Sequence, residues 1–411
     1  LTAVPYFITS DLVRVGNGRS NFGTLRTFYV GGAEQNYTFR HGSGEFRAGI
    51  RGHWERFIDD KKVGDVPDAR DGVYFTGSED DPTIVGQSHH YETVALSLYL
   101  QEQYERGQLT LSPGLRFELF RQDQVNRLRG SILSDKVTYV LLPGLGINYA
   151  VGDYNLFGGI HRGYTPPSSG TLRVTNFGQD VNSGGLDLKA EKSWNMEAGV
   201  RTWRSGLRLE IAGYWIKIND LVAAGRGTAF KNLGKVQTYG VEAGGSIVLS
   251  RYAKALPDIN FAYAYLKTDI ESGRVISGRL AGNVEVDLKG KELPYAPEHT
   301  LTFGLSKRIG RLNLRADWRY VAEVFTDFEN LTETLNRGDT GPVPSYSILN
   351  ASAEYDITPE WTVSVSGKNV LDEVYIGSRL HSNAGQPQAN LSSGIMIGPR
   401  RQINVGIKYG F

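Results

Sequence analysis

Between Thr300 and Ser306 the chain reads Thr-Leu-Thr-Phe-Gly-Leu-Ser, so Leu301, Phe303 and Leu305 fall on one side and small or polar residues on the other. A period of two marks a β-strand, whose successive side chains point to opposite faces; a helix would repeat its apolar positions every three or four residues. After the turn Arg308-Ile309-Gly310-Arg311 the pattern resumes. Leu312, Leu314, Ala316, Trp318 and Tyr320 lie on one face, and Asn313, Arg315, Asp317 and Arg319 on the other. The charged face must meet water, while the other is apolar along its whole length.

The same alternation predicts hairpins at 24–40 with 45–58, 90–105 with 108–123, 136–150 with 153–164, 192–203 with 206–218, 236–250 with 258–270, 298–308 with 311–324, and 345–356 with 361–371. A last strand runs from Arg400 to Phe411, with Ile403, Val405, Ile407, Tyr409 and Phe411 on its apolar side. The total is fifteen strands. A soluble β-sandwich alternates too. Length argues against it: many of these strands exceed the roughly 5–6 residues usual in globular sheets and match the roughly 9–11 that a tilted strand needs to cross a bilayer. So do the connections. Within hairpins they are mostly tight (Gly42-Ser43-Gly44, Arg106-Gly107, Gly152-Asp153, Arg204-Ser205-Gly206, Thr358-Pro359-Glu360), and between hairpins they are long and polar. Short turns on one rim and long loops on the other are the asymmetry of outer-membrane barrels. The expected fold is therefore all-β, a transmembrane antiparallel barrel with its polar face on the lumen. Tyr104, Tyr149, Tyr154, Tyr164, Tyr320, Tyr355 and Trp361, near strand ends, are candidates for interfacial girdles.

Composition narrows the alternatives. No run of 18 apolar residues exists, which excludes a helical span, and no charged-then-apolar start resembles a signal peptide, so Leu1 reads as a mature or internal residue. The absence of cysteine removes disulfides and thiolate metal sites. With 45 basic against 44 acidic residues, no field favours nucleic acid. The 22 tyrosines, 17 phenylalanines and 50 glycines suit a barrel, in which only half of each strand faces lipid. Fifteen is odd, whereas bacterial single-chain barrels have even strand numbers, so the expectation is a chain incomplete at its N-terminus.

Several segments, in order along the chain, resemble the TonB-dependent receptor family. Gly163-Tyr164-Thr165-Pro166-Pro167-Ser168 is similar to its G-[FY]-[RK]-x-P-[ST] element, and Leu188-Lys189-Ala190-Glu191-Lys192-Ser193 to its L-K-P-E-[KT]-[ST] element. Gln237-Thr238-Tyr239-Gly240-Val241-Glu242 and Leu293-Pro294-Tyr295-Ala296-Pro297-Glu298-His299 resemble two further elements. Lys368-Asn369-Val370-Leu371-Asp372-Glu373-Val374-Tyr375 is the strongest, similar to N-[LI]-[LF]-[DN]-x-x-Y, and Gly398-Pro399-Arg400-Arg401 leads into the terminal strand. Read physically, these are scaffold: glycines and prolines set tight geometry, and Asn369 with Asp372 caps a turn at the rim. The resemblance implies a 22-stranded barrel around an N-terminal plug. On that expectation, residues 1–23 are the end of an extracellular loop, 24–411 hold the strands and loops of the C-terminal barrel portion, and the plug and first strands are missing.

Tyr29-Val30-Gly31-Gly32-Ala33-Glu34, followed by Glu45-Phe46-Arg47-Ala48-Gly49-Ile50-Arg51 and Glu55-Arg56-Phe57, is similar to the ferric-citrate receptors, from which Ala33, Gln35 and Gly31 depart. The resemblance implies uptake of a ferric chelate, citrate or a related carboxylate siderophore, driven by the TonB-ExbB-ExbD complex, in an outer membrane of lipid and lipopolysaccharide. Iron would be carried cargo, with no covalently bound cofactor. Such chelates are anions, so a receptor needs arginine, lysine and amides at its extracellular mouth. The candidates are Arg173, Arg226, Lys231, Arg337, Arg379, Asn383, Gln386 and Asn390 on the long loops. His89-His90 reads as a solvated pair. A passive porin shares the polar lumen but needs no energy coupling. An outer-membrane enzyme would need a nucleophile–His–carboxylate arrangement, which the seven histidines do not offer.

Overall fold

The computed structural model describes residues 2–10, 21–64, 88–126, 131–167, 188–223, 231–277, 284–334, 338–379 and 394–410. Regular structure among them is strand, apart from a single 3-10 turn at Leu249–Arg251. The strands are β1 (Thr2–Ser10), β2 (Asn21–His41), β3 (Gly44–Gly64), β4 (Ser88–Arg106), β5 (Leu109–Asn126), β6 (Ser131–Val151), β7 (Tyr154–Thr165), β8 (Glu191–Arg204), β9 (Leu207–Ala223), β10 (Lys231–Ile247), β11 (Asp258–Ile276), β12 (Glu285–Asp287), β13 (His299–Ile309), β14 (Leu312–Val321), β15 (Tyr346–Asp356), β16 (Trp361–Lys368), β17 (Ile376–Arg379), β18 (Ile395–Ile397) and β19 (Gln402–Tyr409). Setting aside three-residue β12 and the β17–β18 hairpin, sixteen strands form the antiparallel framework, fifteen of them where the alternation predicts.

The sixteenth is β1, which pairs with β2 from Thr2↔Gly32 to Ser10↔Thr24. The expectation that residues 1–23 are only the end of a loop is therefore corrected. Pro5, opposite Tyr29, has no N–H to give the ladder and disguises the run as a turn. With it the described strand count is even, and the parity argument for a truncated chain no longer stands.

The chain divides into two compact units. Leu1–Glu105, Leu111–Leu145 and Tyr164–Ala190 form one; Arg106–Thr110, Gly146–Gly163 and Glu191–Phe411 form the other. In the first, β1, β2, β3 and β4 pair consecutively, and Ser97 on β4 donates to Glu118 on β5 at 2.6 Å. In the second, β8 pairs with β9, β9 with β10, β10 with β11, and β11 with β13. The ladder then runs through β14, β15 and β16 to β19. At the tight turns Gly107, Gly152, Gly206 and Gly310 take φ of 60°, 57°, 82° and 60°, a left-handed backbone that favours glycine.

Burial is inverted relative to a soluble sheet. Val94, Leu96, Leu98 and Leu100 on β4 are exposed at alternate positions, and so are Ile403, Val405, Ile407 and Tyr409 on β19. Between the exposed members of β4 sits buried Ser97, and Glu118, its partner, is buried as well. An apolar face of this extent is stable only against an apolar medium. At about 3.3 Å per residue the 21-residue strands β2, β3 and β6 are about twice as long as a bilayer crossing requires. Tyr149, Tyr154, Tyr355 and Trp361 are exposed as a girdle demands. Tyr164 instead stacks on buried Phe120 beside Glu118, so it belongs to the packing of the polar side.

Candidate functional site

At the long-loop end of the second unit the chain builds a layer with its own small core. Val236, Ile270 and Leu288 are fully buried, joined by Ala223, Leu233 and Val275, with Leu221, Leu293 and Phe328 packed against them. The short strand β12 folds back on β11 to close it, pairing Arg274↔Asp287 through Ile276↔Glu285. Leu293 N–H donates to the Thr268 hydroxyl and Glu292 N–H to the Asn330 side chain, which itself donates to the carbonyls of Glu292 and Asp327. The Leu293-to-His299 motif thus fixes a turn, with Tyr295 at a φ of 55° and its N–H on the Phe325 carbonyl.

Arg379 ties three connections together. Its Nε and Nη2 donate to the Pro342 carbonyl at 3.0 and 2.7 Å, and its Nη1 to the Gly338 carbonyl at 2.6 Å. Its own N–H and carbonyl both meet the Tyr295 hydroxyl at 3.1 Å. Burial lowers its pKa from the usual arginine range, against the pull of Tyr295 and Asp339. The candidate anion ligand is therefore a strut whose guanidinium points into the loop layer. Of the other candidates, Arg173, Arg226, Arg337, Asn383, Gln386 and Asn390 lie outside the described residues, and Lys231 is described only as the first backbone position of β10. His89 and His90 sit in the β3–β4 ladder opposite Asp59 and Ile58, and no metal-holding group of His, Asp and Glu occurs among the described residues.

The Asn369 motif is a cap, as its sequence suggests. Asn369, buried and at a φ of 47°, donates from its amide to the Glu373 and Pro399 carbonyls and accepts from the Glu373 N–H. Asp372, at a φ of 56°, takes both arms of the Arg400 guanidinium at 2.9 and 2.5 Å and the Arg401 N–H at 3.0 Å. The Arg400 pair holds the Asp372 carboxyl far below the usual carboxylate range, so it stays ionised in all but strong acid. Asn369→Asp keeps the shape and the acceptor but loses the amide donors to two carbonyls. It should cost about 1–3 kcal/mol, read as a lower denaturant midpoint of the full chain; an unchanged midpoint would show the cap to be dispensable.

The ferric-citrate-like segments form the β2–β3 hairpin, where Tyr29 faces Arg56 and Gly31 faces Trp54. Phe28, Phe57 and Tyr91 stack in series at 4.4 and 5.4 Å, while Arg56 holds Glu92 at 2.6 and 2.8 Å. Along the polar face of this unit charges are paired: Glu45 takes Arg40 and Arg47, and Arg116 meets Glu118.

The second unit has a different polar face. Near the short turn Arg204-Ser205-Gly206, Arg201, Trp203, Arg208, Glu210 and Glu242 edge a concavity of about 810 Å³. Sequence reading passed over these residues, because single charges at alternate strand positions look like any solvated face. The signal that could have found one of them is Arg208 facing Trp203 across the β8–β9 hairpin; Arg201 lies over Phe157 of β7, which no local spacing reveals.

The model of the TonB dependent receptor-like β-barrel family matches residues 4–370. Among solved structures, the chain is similar to the ferric citrate transporter FecA in its unliganded form, with a TM-score of 0.76 and 21% identity over 98% of this chain and 57% of that one. It is also similar to the copper transporter OprC (TM-score 0.69, 15% identity, 95% and 58% covered). A third likeness is to the ferric yersiniabactin uptake receptor FyuA from Yersinia pestis (TM-score 0.69, 15% identity, 99% and 57% covered). At these identities the structures speak for the fold, and the chain spans little more than half of each. The family match, the inverted burial and the alternation of tight turns with long connections agree: the chain belongs to the TonB-dependent receptor-like β-barrel family.

Proposed function

We propose that this chain belongs to the barrel of an outer-membrane receptor that takes up a ferric chelate, citrate or a related carboxylate siderophore, in a step driven by TonB-ExbB-ExbD. The family match carries the reading. The likeness to the ferric citrate transporter over 98% of the chain and the β2–β3 segments support the choice of cargo. A ferric carboxylate is a bulky anion, and the sequence offers the cations Arg173, Arg226, Lys231 and Arg337 and the neutral amides Asn383, Gln386 and Asn390 as candidates to meet it. The fold likeness to a copper transporter makes another metal the principal competing cargo.

A strain deleted for the gene, grown under iron limitation, should regain growth on ferric citrate or a related ferric carboxylate when the gene is restored, and only with TonB intact. Growth on none of these chelates would refute the iron-carboxylate reading. Uptake that persists without TonB would mark a passive channel instead.

A further inference from the structure

On the short-turn rim of the second unit one connection is built unlike its neighbours. The turns Gly152-Asp153, Ser205-Gly206 and Gly310-Arg311 each take two residues, whereas β10 ends at Ile247 and β11 begins only at Asp258. The longer stretch has hydrogen bonds of its own. It opens with the 3-10 turn Leu249–Arg251, the Ser250 N–H donates to the Asp258 carboxylate at 2.9 Å, and the Leu256 N–H donates to the Ala253 carbonyl at 2.9 Å. It is also tied on both flanks. The Val248 N–H donates to the Gly206 carbonyl at 2.7 Å and the Tyr252 hydroxyl to the Ser205 carbonyl at 3.3 Å. From the other side the Lys307 ammonium of β13 donates to the Lys254 carbonyl and, at 2.8 Å, to that of Leu256.

The Lys307 contact fixes the side of the wall on which residues 254–256 lie. Ile247, Ile259 and Leu305 stand opposite one another across β10, β11 and β13, and Lys307 follows Leu305 by two residues, on the same face. That face also carries Tyr239, Val241 and Phe303 and is the exposed apolar one, so the stretch does not border the lumen. A lysine at the end of such a row would ordinarily carry its ammonium to the polar boundary of a bilayer. Here the ammonium is used on two carbonyls, and the connection stands at that boundary in its place. Tyr252 is 70% exposed and Leu256 42%. The Arg251 and Lys254 side chains, exposed too, make no ion pair or hydrogen bond among the described residues, unlike Arg204 and Arg308 on the same rim, which meet Asp153 and Asp356.

We propose that residues 248–256 dock an anionic phospholipid of the leaflet on the short-turn side, with its phosphate on Lys254 and Arg251 and the start of an acyl chain beside Tyr252 and Leu256. Charge complementarity and continuity choose this occupant: two free cations are set beside an aromatic and an aliphatic side chain, at the end of the apolar row Ile247, Ile259 and Leu305. Because hydrogen bonds hold the stretch in place beforehand, little conformational freedom is lost on binding. The inference rests on the outer-membrane barrel reading and is independent of the cargo.

The test uses the full chain in phosphatidylcholine vesicles carrying a small fraction of photoactivatable phosphatidylglycerol or photoactivatable phosphatidylcholine, with cross-links mapped by peptide mass spectrometry. Residues 301–309 of β13, on the lipid-facing wall, serve as the internal standard. In the unmodified protein the phosphatidylglycerol probe should label residues 248–257 about tenfold more than the phosphatidylcholine probe does, and R251Q/K254Q should abolish the difference, since each cation beside an anionic headgroup is worth about fivefold. Equal labelling by the two probes, or a preference that survives in R251Q/K254Q, overturns the site. Labelling of 301–309 without 248–257 overturns it as well and points to a soluble partner for the connection. Labelling of neither denies the lipid-facing wall on which the site depends. Loss of the preference with growth on ferric carboxylates intact would remove the site and leave the uptake reading standing; a preference without such growth does the reverse.

Discussion

Arg379→Ala should loosen the long-loop layer while leaving the strands below it intact. The change removes three donors from the Pro342 and Gly338 carbonyls in a buried setting. A buried acceptor left unmade costs more than a hydrogen bond gains, and two of them together with the lost packing amount to about 2–4 kcal/mol. The loss should be local, because the strut joins connections and no barrel strand depends on it. Faster hydrogen exchange is expected at the Tyr295, Val324, Val343 and Arg379 amides, which close this layer. Exchange within β13 to β16 should not change. Arg379→Lys should behave almost as the alanine variant does, since one ammonium cannot span two carbonyls as a planar fork can. Unchanged exchange at Tyr295 and Val343 in both variants would refute the strut.

The fate of Arg379 shows where sequence reasoning stops. A lone arginine on a polar loop, read along the chain, is a plausible anion ligand; only the arrival of Pro342, Gly338 and Tyr295 from connections dozens of residues away turns it inward. Asn369 and Asp372 were legible because their partners Glu373 and Arg400 lie in the same motif or in the segment that leads into the last strand. The strands were legible for a similar reason: alternation is local, and residues i and i+2 report on one face without knowledge of any partner. β1 escaped because Pro5 interrupts its signal and only the ladder to β2 makes it a strand. β12, β17 and β18 escaped because three or four residues carry too short a period to be recognised. The Arg201 and Arg208 concavity was hidden by the same alternation that revealed the fold, because which polar positions face one another depends on the register of neighbouring strands.

Val405→Arg should destabilise the full chain in lipid by about 2–4 kcal/mol if Val405 lies near the bilayer midplane, falling towards zero nearer an interface. Val405 is 70% exposed, sits in the middle of β19 and is paired with Val365, itself exposed, on β16. An exposed valine in water would tolerate arginine at almost no cost, so a large penalty is evidence for hydrocarbon. The neighbouring position provides the internal control. Asn404, paired with Ser366, lies on the other face of the same strand, where a charge meets water, and Asn404→Arg should cost under about 1 kcal/mol. Both variants shift one residue along the chain and differ only in which way the side chain points. The comparison is read as the denaturant midpoint for folding into lipid vesicles. Equal penalties at 404 and 405 would deny that the apolar face meets lipid, and with it the physical basis for reading the inverted burial as a membrane barrel. A penalty confined to 405 ties the period of two found in the sequence to the solvent on each side of the sheet.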